Sequence, residues 1–353
     1  MKTPLKPFSL THTPNFPGIL HDLNFTLAVS TFQAGKVIFL SAVDRERIVQ
    51  LPRTFDNAMG LAIDNDRIAI ACKNEVIELR NHSQLSKGYP LNPDTYDSFF
   101  VPRVRYNTGP LDLHDMNYAN GKLLAINTLF SCIAEINNNY SFTPVWQPPF
   151  ISKLAPEDRC HLNSVAVEDG IVEYVTALGS TDTAQGWREN KLKGGILMHV
   201  PTNKIVVDGL SMPHSPRIYD GKVYYLNSAV GELCVYDPSG ESNIVITKLG
   251  GFARGMVKVG DYLFIGISKL RHTSDVFSTL PIAKQSYAGI EVVYLPYNKV
   301  VGKLRYEESV DEIYDVKALP GLVRPGIQNI DKTSEQVAFV TNEFSFWGVA
   351  KKE

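Results

Sequence analysis

Three histidines stand in one setting. His114 in "LHDMNYANGK", His161 in "RCHLNSVAVEDG" and His214 in "PHSPRIYDGK" each precede a short apolar run that ends in an Asn-Gly or Asp-Gly turn. His114 and His214 lie seven residues ahead of their turn glycines (121 − 114 and 221 − 214). At the matching place between them stands Asn163, with His161 two residues earlier. Later units put Arg254 ("GFARGM") and then Asp311, Glu312 and Asp315 ("VDEIYDV") into similar places. Three chemistries suit such a set. Neutral imidazoles hold divalent metals, so His114, His161 and His214 are candidate ligands of one Fe, Cu, Zn or Mn ion, although no HxH or HxxxH pair reinforces them. The same rings, with Glu312, are candidate acid–base groups acting on an anion held by Arg217 and Arg254. The third option is hydrogen bonding to a small ligand or to water, without reaction.

Other residues join the candidate set less directly. Asp115 follows His114, and Asn163, Trp187 and Arg188 (the last two in "GWREN") are candidate substrate contacts, although an aromatic on a long loop equally serves to pin that loop. "PEDRC" packs Glu157, Asp158 and Arg159 before His161, a pattern that reads as a salt-bridged brace or part of a site. Cys132 and Cys160 raise a Cys/His nucleophile, against the commoner reading of buried thiols. Ser215 lacks the flanking glycines of a nucleophile elbow.

These residues must be positioned by strands. Runs such as "GKVIFLSAV", "GKLLAIN", "GIVEYVTALG" and "GDYLFIGIS" are short and rich in β-branched and aromatic residues, with Asn-Gly, Asp-Gly and Gly-Asp turns between strands. The best helical candidate, "FSTLPIAKQSYA", is short and carries a proline. The turn glycines 121, 170, 221 and 260 are spaced by 49, 51 and 39 residues, the period of a four-stranded propeller blade. An all-β propeller is expected over residues 1–353 as one domain, with seven blades the first count and six the second. Residues 1–23 are expected to form an arm, or a strand closing the ring with the C-terminal "QVAFVTNEFSFWGVA". Insertions at 81–110, 128–160, 179–195 and 269–288 are expected to form ordered loops, the usual carriers of function in a repeat fold. In a propeller the innermost strands all run the same way, so the residues starting them gather at one mouth of the central channel.

Bulk composition narrows the partners. The chain has 353 residues, 44% of them hydrophobic and 20% charged, which suits a soluble protein with a large core. A formal net charge of −2 supplies no basic field for nucleic acid. No apolar run approaches the ~18 residues of a membrane span, and prolines break the first twenty residues, unlike a secretory signal. Four scattered cysteines without a CxxC pair read as reduced thiols, giving a cytoplasmic expectation.

Longer motifs extend the reading. "STFQAGKVIFLS", "YNTGPLDLHDM", "PPFISKLAPEDRCHLNSVAV", "YVTALGSTDTAQGWREN", "GLSMPHSPR", "GELCVYD", "GFARGM" and "DEIYDV" resemble a bacterial family of conserved proteins containing a domain of unknown function. The resemblance runs from about Thr26 to Pro325. It departs at Ser164, Val165 and Ala253, where the family's pattern differs slightly. It implies a β-propeller and no particular reaction. The leading expectation is an enzyme whose pocket at one channel mouth takes a small anionic or peptide-like substrate. The alternatives are a non-catalytic ligand- or peptide-binding propeller and a protein-interaction platform.

Overall fold

The computed structural model describes residues 5–270, 280, 282, 287–330 and 336–349. Most of the helical candidate at 277–288, and of the insertion at 269–288, lies outside these residues. The described chain forms six antiparallel blades. Blade 2 comprises Leu61–Asp64, Arg67–Ala71, Glu75–Asn81 and Phe99–Asn107. Blade 3 comprises Leu113–Ala119, Lys122–Asn127, Cys132–Ile136 and Thr143–Trp146. Blades 4 and 5 start with Leu162–Glu168 and Pro213–Tyr219, and blade 6 with Phe252–Val259. Blade 1 is assembled from both ends of the sequence. Its inner strand, Asp315–Pro320, pairs with Phe25–Thr31, followed outward by Lys36–Ala42 and Ile48–Thr54. The six inner strands contact one another in cyclic order.

The seven-blade expectation is therefore corrected to six. The first and last units each supply part of one blade, and counting them separately adds a blade that does not exist. The expected closing strand is corrected too. Leu10–His12 lies on the outer edge of blade 6 beside Lys299–Tyr306. The hairpin of Gln336–Val340 and Ser345–Val349 packs on the short helix Ser83–Lys87, where Trp347 donates to the Leu85 carbonyl at 2.8 Å.

The apolar runs read as continuous because both faces of each blade are covered. Along Lys36–Ala42, Val37 and Phe39 pack on blade 2, and Ile38 and Leu40 pack on blade 6. The same alternation repeats at the other interfaces, so the core is a ring of blade-to-blade contacts. The hairpins follow the sequence signals. Asn120-Gly121, Asp169-Gly170 and Asp220-Gly221 all have positive φ at both residues, the backbone that a two-residue turn between twisted strands requires.

Buried side chains tie neighbouring blades at the backbone. Ser30 donates to the Met59 carbonyl, Thr128 to Leu162, Asn163 to Pro213, Ser228 to Ala253 and Ser268 to Ile313. These bonds fix the starts of the inner strands of blades 2, 4, 5, 6 and 1. Close approach does the rest: a Cβ on Gly60 would meet the Asp115 backbone at 2.8 Å, and one on Gly255 would meet the Asp315 Cα at 2.7 Å.

Closure by Asp315–Pro320 predicts unequal costs at the two ends of the chain. Leu319→Ala, at a buried site of the closing strand, should lose about 2–5 kcal/mol in urea denaturation. Thr11→Ala, exposed on the outer strand of blade 6, should stay within about 0.5 kcal/mol of the parent.

Candidate functional site

The starts of the inner strands gather at one mouth of the channel. Met59, His114, His214, Arg254 and Tyr314, from five blades, line a cavity of about 350 Å³, with His161 joining them from just ahead of blade 4. Asp112, Trp187, Arg188, Lys269 and Glu312 complete its polar wall, and Phe32, Leu178, Met212, Phe252 and Leu270 its apolar wall. Its volume is at the small end for ligand pockets, which run from about 300 to 1,000 Å³.

Two of the histidines are held by the same backbone device. Asp112 and Met212 have φ of +52° and +53°, a left-handed conformation that is uncommon outside glycine. That turn brings each carbonyl to Nδ1 of the histidine two residues on: His114 to Asp112 O and His214 to Met212 O, both at 2.9 Å. A carbonyl only accepts, so Nδ1 carries the hydrogen in both rings and Nε2 carries the lone pair. Ser228, whose hydroxyl donates to Ala253 O at 2.6 Å, is a second acceptor for His214 Nδ1 at 2.9 Å. Burial, followed by the Arg254 cation, holds both imidazoles well below the ordinary histidine pKa, so they are neutral at neutral pH.

His161 has a different partner. Its Nδ1 lies 2.9 and 3.0 Å from the two Asp158 oxygens, and Trp187 Nε1 donates to the same carboxylate at 2.9 Å. Trp187 packs beside His161 with ring centroids 4.4 Å apart and planes tilted by 41°, and the His114 ring meets His161 nearly perpendicularly at 4.8 Å. Arg254 lies over the Tyr314 ring with its guanidinium carbon 3.4 Å from the centroid. Arg188 is exposed at the rim, 5.1 Å over Trp187.

The structure thus brings His114, His161, His214, Arg254, Trp187, Arg188 and Glu312 to one cavity. It takes Asp115, Arg217 and Asn163 elsewhere, and their expected role in binding substrate is corrected. Asn163 is fully buried, donating to Pro213 O at 2.9 Å and accepting from Thr176 at 2.8 Å. Arg217 forks onto Asp115 at 3.0 and 3.3 Å and also donates to Val165 O at 2.9 Å. Asp115 accepts the Val165 amide of blade 4, and Asp315 accepts the Leu61 amide of blade 2. Lys317 lies 3.6 Å from Asp115 and 3.4 Å from Asp315. Two acids and two bases therefore cross-link the inner strands, one or more residues past the cavity. Burial opposes ionisation of Asp115, but Arg217 and Lys317 together hold its carboxyl below the ordinary range.

Other expectations resolve in the same geometry. Arg159 bridges Glu157 and Asp182 at 2.8 and 2.6 Å, so the brace is real, whereas Asp158 between them belongs to the site. All four cysteines are free and buried; burial pushes Cys132 and Cys160 to about 12, so neither supplies the thiolate of a Cys/His nucleophile. Among the described residues no group of three or more His, Cys, Asp or Glu side chains is arranged to hold a metal ion. No helix among them is long and apolar enough to cross a membrane. Sequence reasoning missed Tyr314, Asp112 and the orienting role of Asp158. Aligning His114-Asp115 with Tyr314-Asp315 places Tyr314 at the rim.

The chain belongs to the family defined by a domain of unknown function, DUF4915, whose sequence model matches residues 14–328. No curated protein matches it. Among solved structures, a chain from the crystal structure of a nidogen/laminin complex is similar in fold, with a TM-score of 0.54 and 9% identity, covering 84% of this chain and 99% of that one.

Two measurements check these assignments. Asp115→Ala leaves Arg217 short of its main partner in a buried setting, and should cost about 3–5 kcal/mol in denaturant unfolding. The depressed histidines set a pH dependence. As pH drops through about 6.5 the unfolded chain binds protons at His114 and His214 that the folded chain refuses, so stability falls, approaching about 1.4 kcal/mol per pH unit and per ring only well below pH 6.5. Urea midpoints should fall between pH 7 and pH 5.5, more steeply toward the acid end, and His214→Gln should make that fall shallower.

Proposed function

We propose that the cavity at the channel mouth is an active site for proton-transfer chemistry on a small organic anion. Arg254 holds the anionic group, and His161, oriented by Asp158, is the general acid–base. One observation carries this reading: an imidazole backed by a carboxylate and a guanidinium face the same cavity. Asp158 binds Nδ1 of His161, which fixes the ring and leaves Nε2 as the nitrogen that meets a ligand. Phe252, Leu178, Met212 and Leu270 exclude water from the apolar wall, and a cation in such a setting attracts an anion more strongly than it would in bulk solvent. His114 and His214, neutral, add no competing charge.

A competing reading is a propeller that recognises another protein or peptide without reaction; the similar solved structure is a complex between proteins. A concave cup of about 350 Å³ favours a small ligand or a chain terminus over a broad surface.

Proton NMR in D2O of a mixture of small organic acids and organophosphates separates the two. The expected result is conversion, or exchange of a carbon-bound proton, in one component, with Asp158→Asn and His161→Asn slowing it by about 10²–10⁴-fold. Arg254→Met should weaken binding of that component. Saturation transfer to a bound component with no exchange or conversion would overturn catalysis and leave a binding protein.

A further inference from the structure

The hydrogen-bond polarity of the cavity says more about its ligand than its charge does. His114 and His214 have each committed their Nδ1 hydrogen to a backbone carbonyl, Asp112 O and Met212 O. Each therefore turns an acceptor nitrogen, Nε2, to its remaining partners, and neither Nε2 bonds a described residue. The Asp112 carboxylate adds a further acceptor to the wall. A plain carboxylate or alkyl phosphate offers only acceptors, so it satisfies Arg254 and leaves the imidazole lone pairs facing its own oxygens or its hydrocarbon chain. A ligand that fits both demands has an anionic group together with hydrogen-bond donors. An ammonium would supply donors, but the wall carries three cations, Arg188, Arg254 and Lys269, against the two carboxylates of Asp112 and Glu312, a balance that disfavours a ligand with its own cation. Neutral donors are left, and in small organic anions the commonest of these are hydroxyls.

Building on the reading of the cavity as an anion site, we infer that its ligand is a polyhydroxylated organic anion. Hydroxyl groups donate to His114 Nε2 and His214 Nε2, and a carboxylate or phosphate meets Arg254. The cavity volume of about 350 Å³ suits a compact molecule of this kind better than a polymer.

Titration calorimetry with matched probes tests this. Gluconate is compared with hexanoate, glucose 6-phosphate with hexyl phosphate, and norleucine supplies the ammonium case. At least one hydroxylated probe should bind about tenfold or more tighter than its unhydroxylated match, and the pair showing the gap identifies the anionic group. His114→Phe should shrink that gap about tenfold, the effect of one lost hydrogen bond, while leaving the unhydroxylated match within about twofold. Arg254→Met should weaken both members of the pair. If the His114 variant fails to fold, the parent protein's ranking of the probes still decides. Hexanoate, hexyl phosphate or norleucine binding as tightly as the hydroxylated probes would overturn the inference and leave the anion site standing. Absence of any Arg254-dependent binding across all five probes would overturn the anion site and this inference together.

Discussion

The pairing of Phe25–Thr31 with Asp315–Pro320 holds the molecule together. Each blade is apolar on both faces, so it is satisfied only when it has a neighbour on each side, and a ring meets that demand only when closed. The closing strand comes from the far end of the matched region, which makes a contact between the two ends of the sequence a condition for burying the first and last blades. Hydroxyl and amide side chains at the blade junctions then hold the strand starts in register, and glycines at Gly60 and Gly255 let neighbouring backbones meet near the axis.

The site is a by-product of that closure. Six strands running the same way deliver their first residues to one mouth, and successive residues along a strand face different surroundings. In blade 3, His114 goes to the cavity and Asp115 goes to the buried cross-link; in blade 1, Tyr314 and Asp315 divide in the same manner. Charge therefore separates into two layers. Arg217 and Lys317 are matched against Asp115 and Asp315 within the wall of the channel, while Arg254 remains at the cavity above the Tyr314 ring. A buried charge cluster of this kind contributes modestly to stability while it is complete, and its partners become costly when one is removed.

Local strain at the mouth has a visible use. Left-handed backbone at Asp112 and Met212 typically costs ~1–3 kcal/mol per residue, and here it turns a carbonyl onto each following histidine. The result is two imidazoles of fixed tautomer and fixed orientation. His161 lacks that device and has the Asp158 carboxylate instead, which makes it the chemically distinct member of the three.

The sequence by itself determined the propeller, the turn positions and the convergence of His114, His161, His214 and Arg254, because a period near fifty residues and the direction of the inner strands are properties of local pattern. It also marked Glu157, Asp158 and Arg159 as a brace or part of a site, and the structure divides them, Arg159 bridging Glu157 and Asp182 while Asp158 orients His161. Only the tertiary structure decided that there are six blades, because the closing blade draws its strands from both ends and no local repeat records that. Only it separated Asp115, Arg217 and Asn163 from the cavity. Adjacent residues of one strand point to different sides, and which side faces the ligand depends on the neighbouring blades. The choice of nitrogen on each histidine likewise depends on a carbonyl whose position follows from a left-handed turn, which residue type alone does not specify at an aspartate or a methionine.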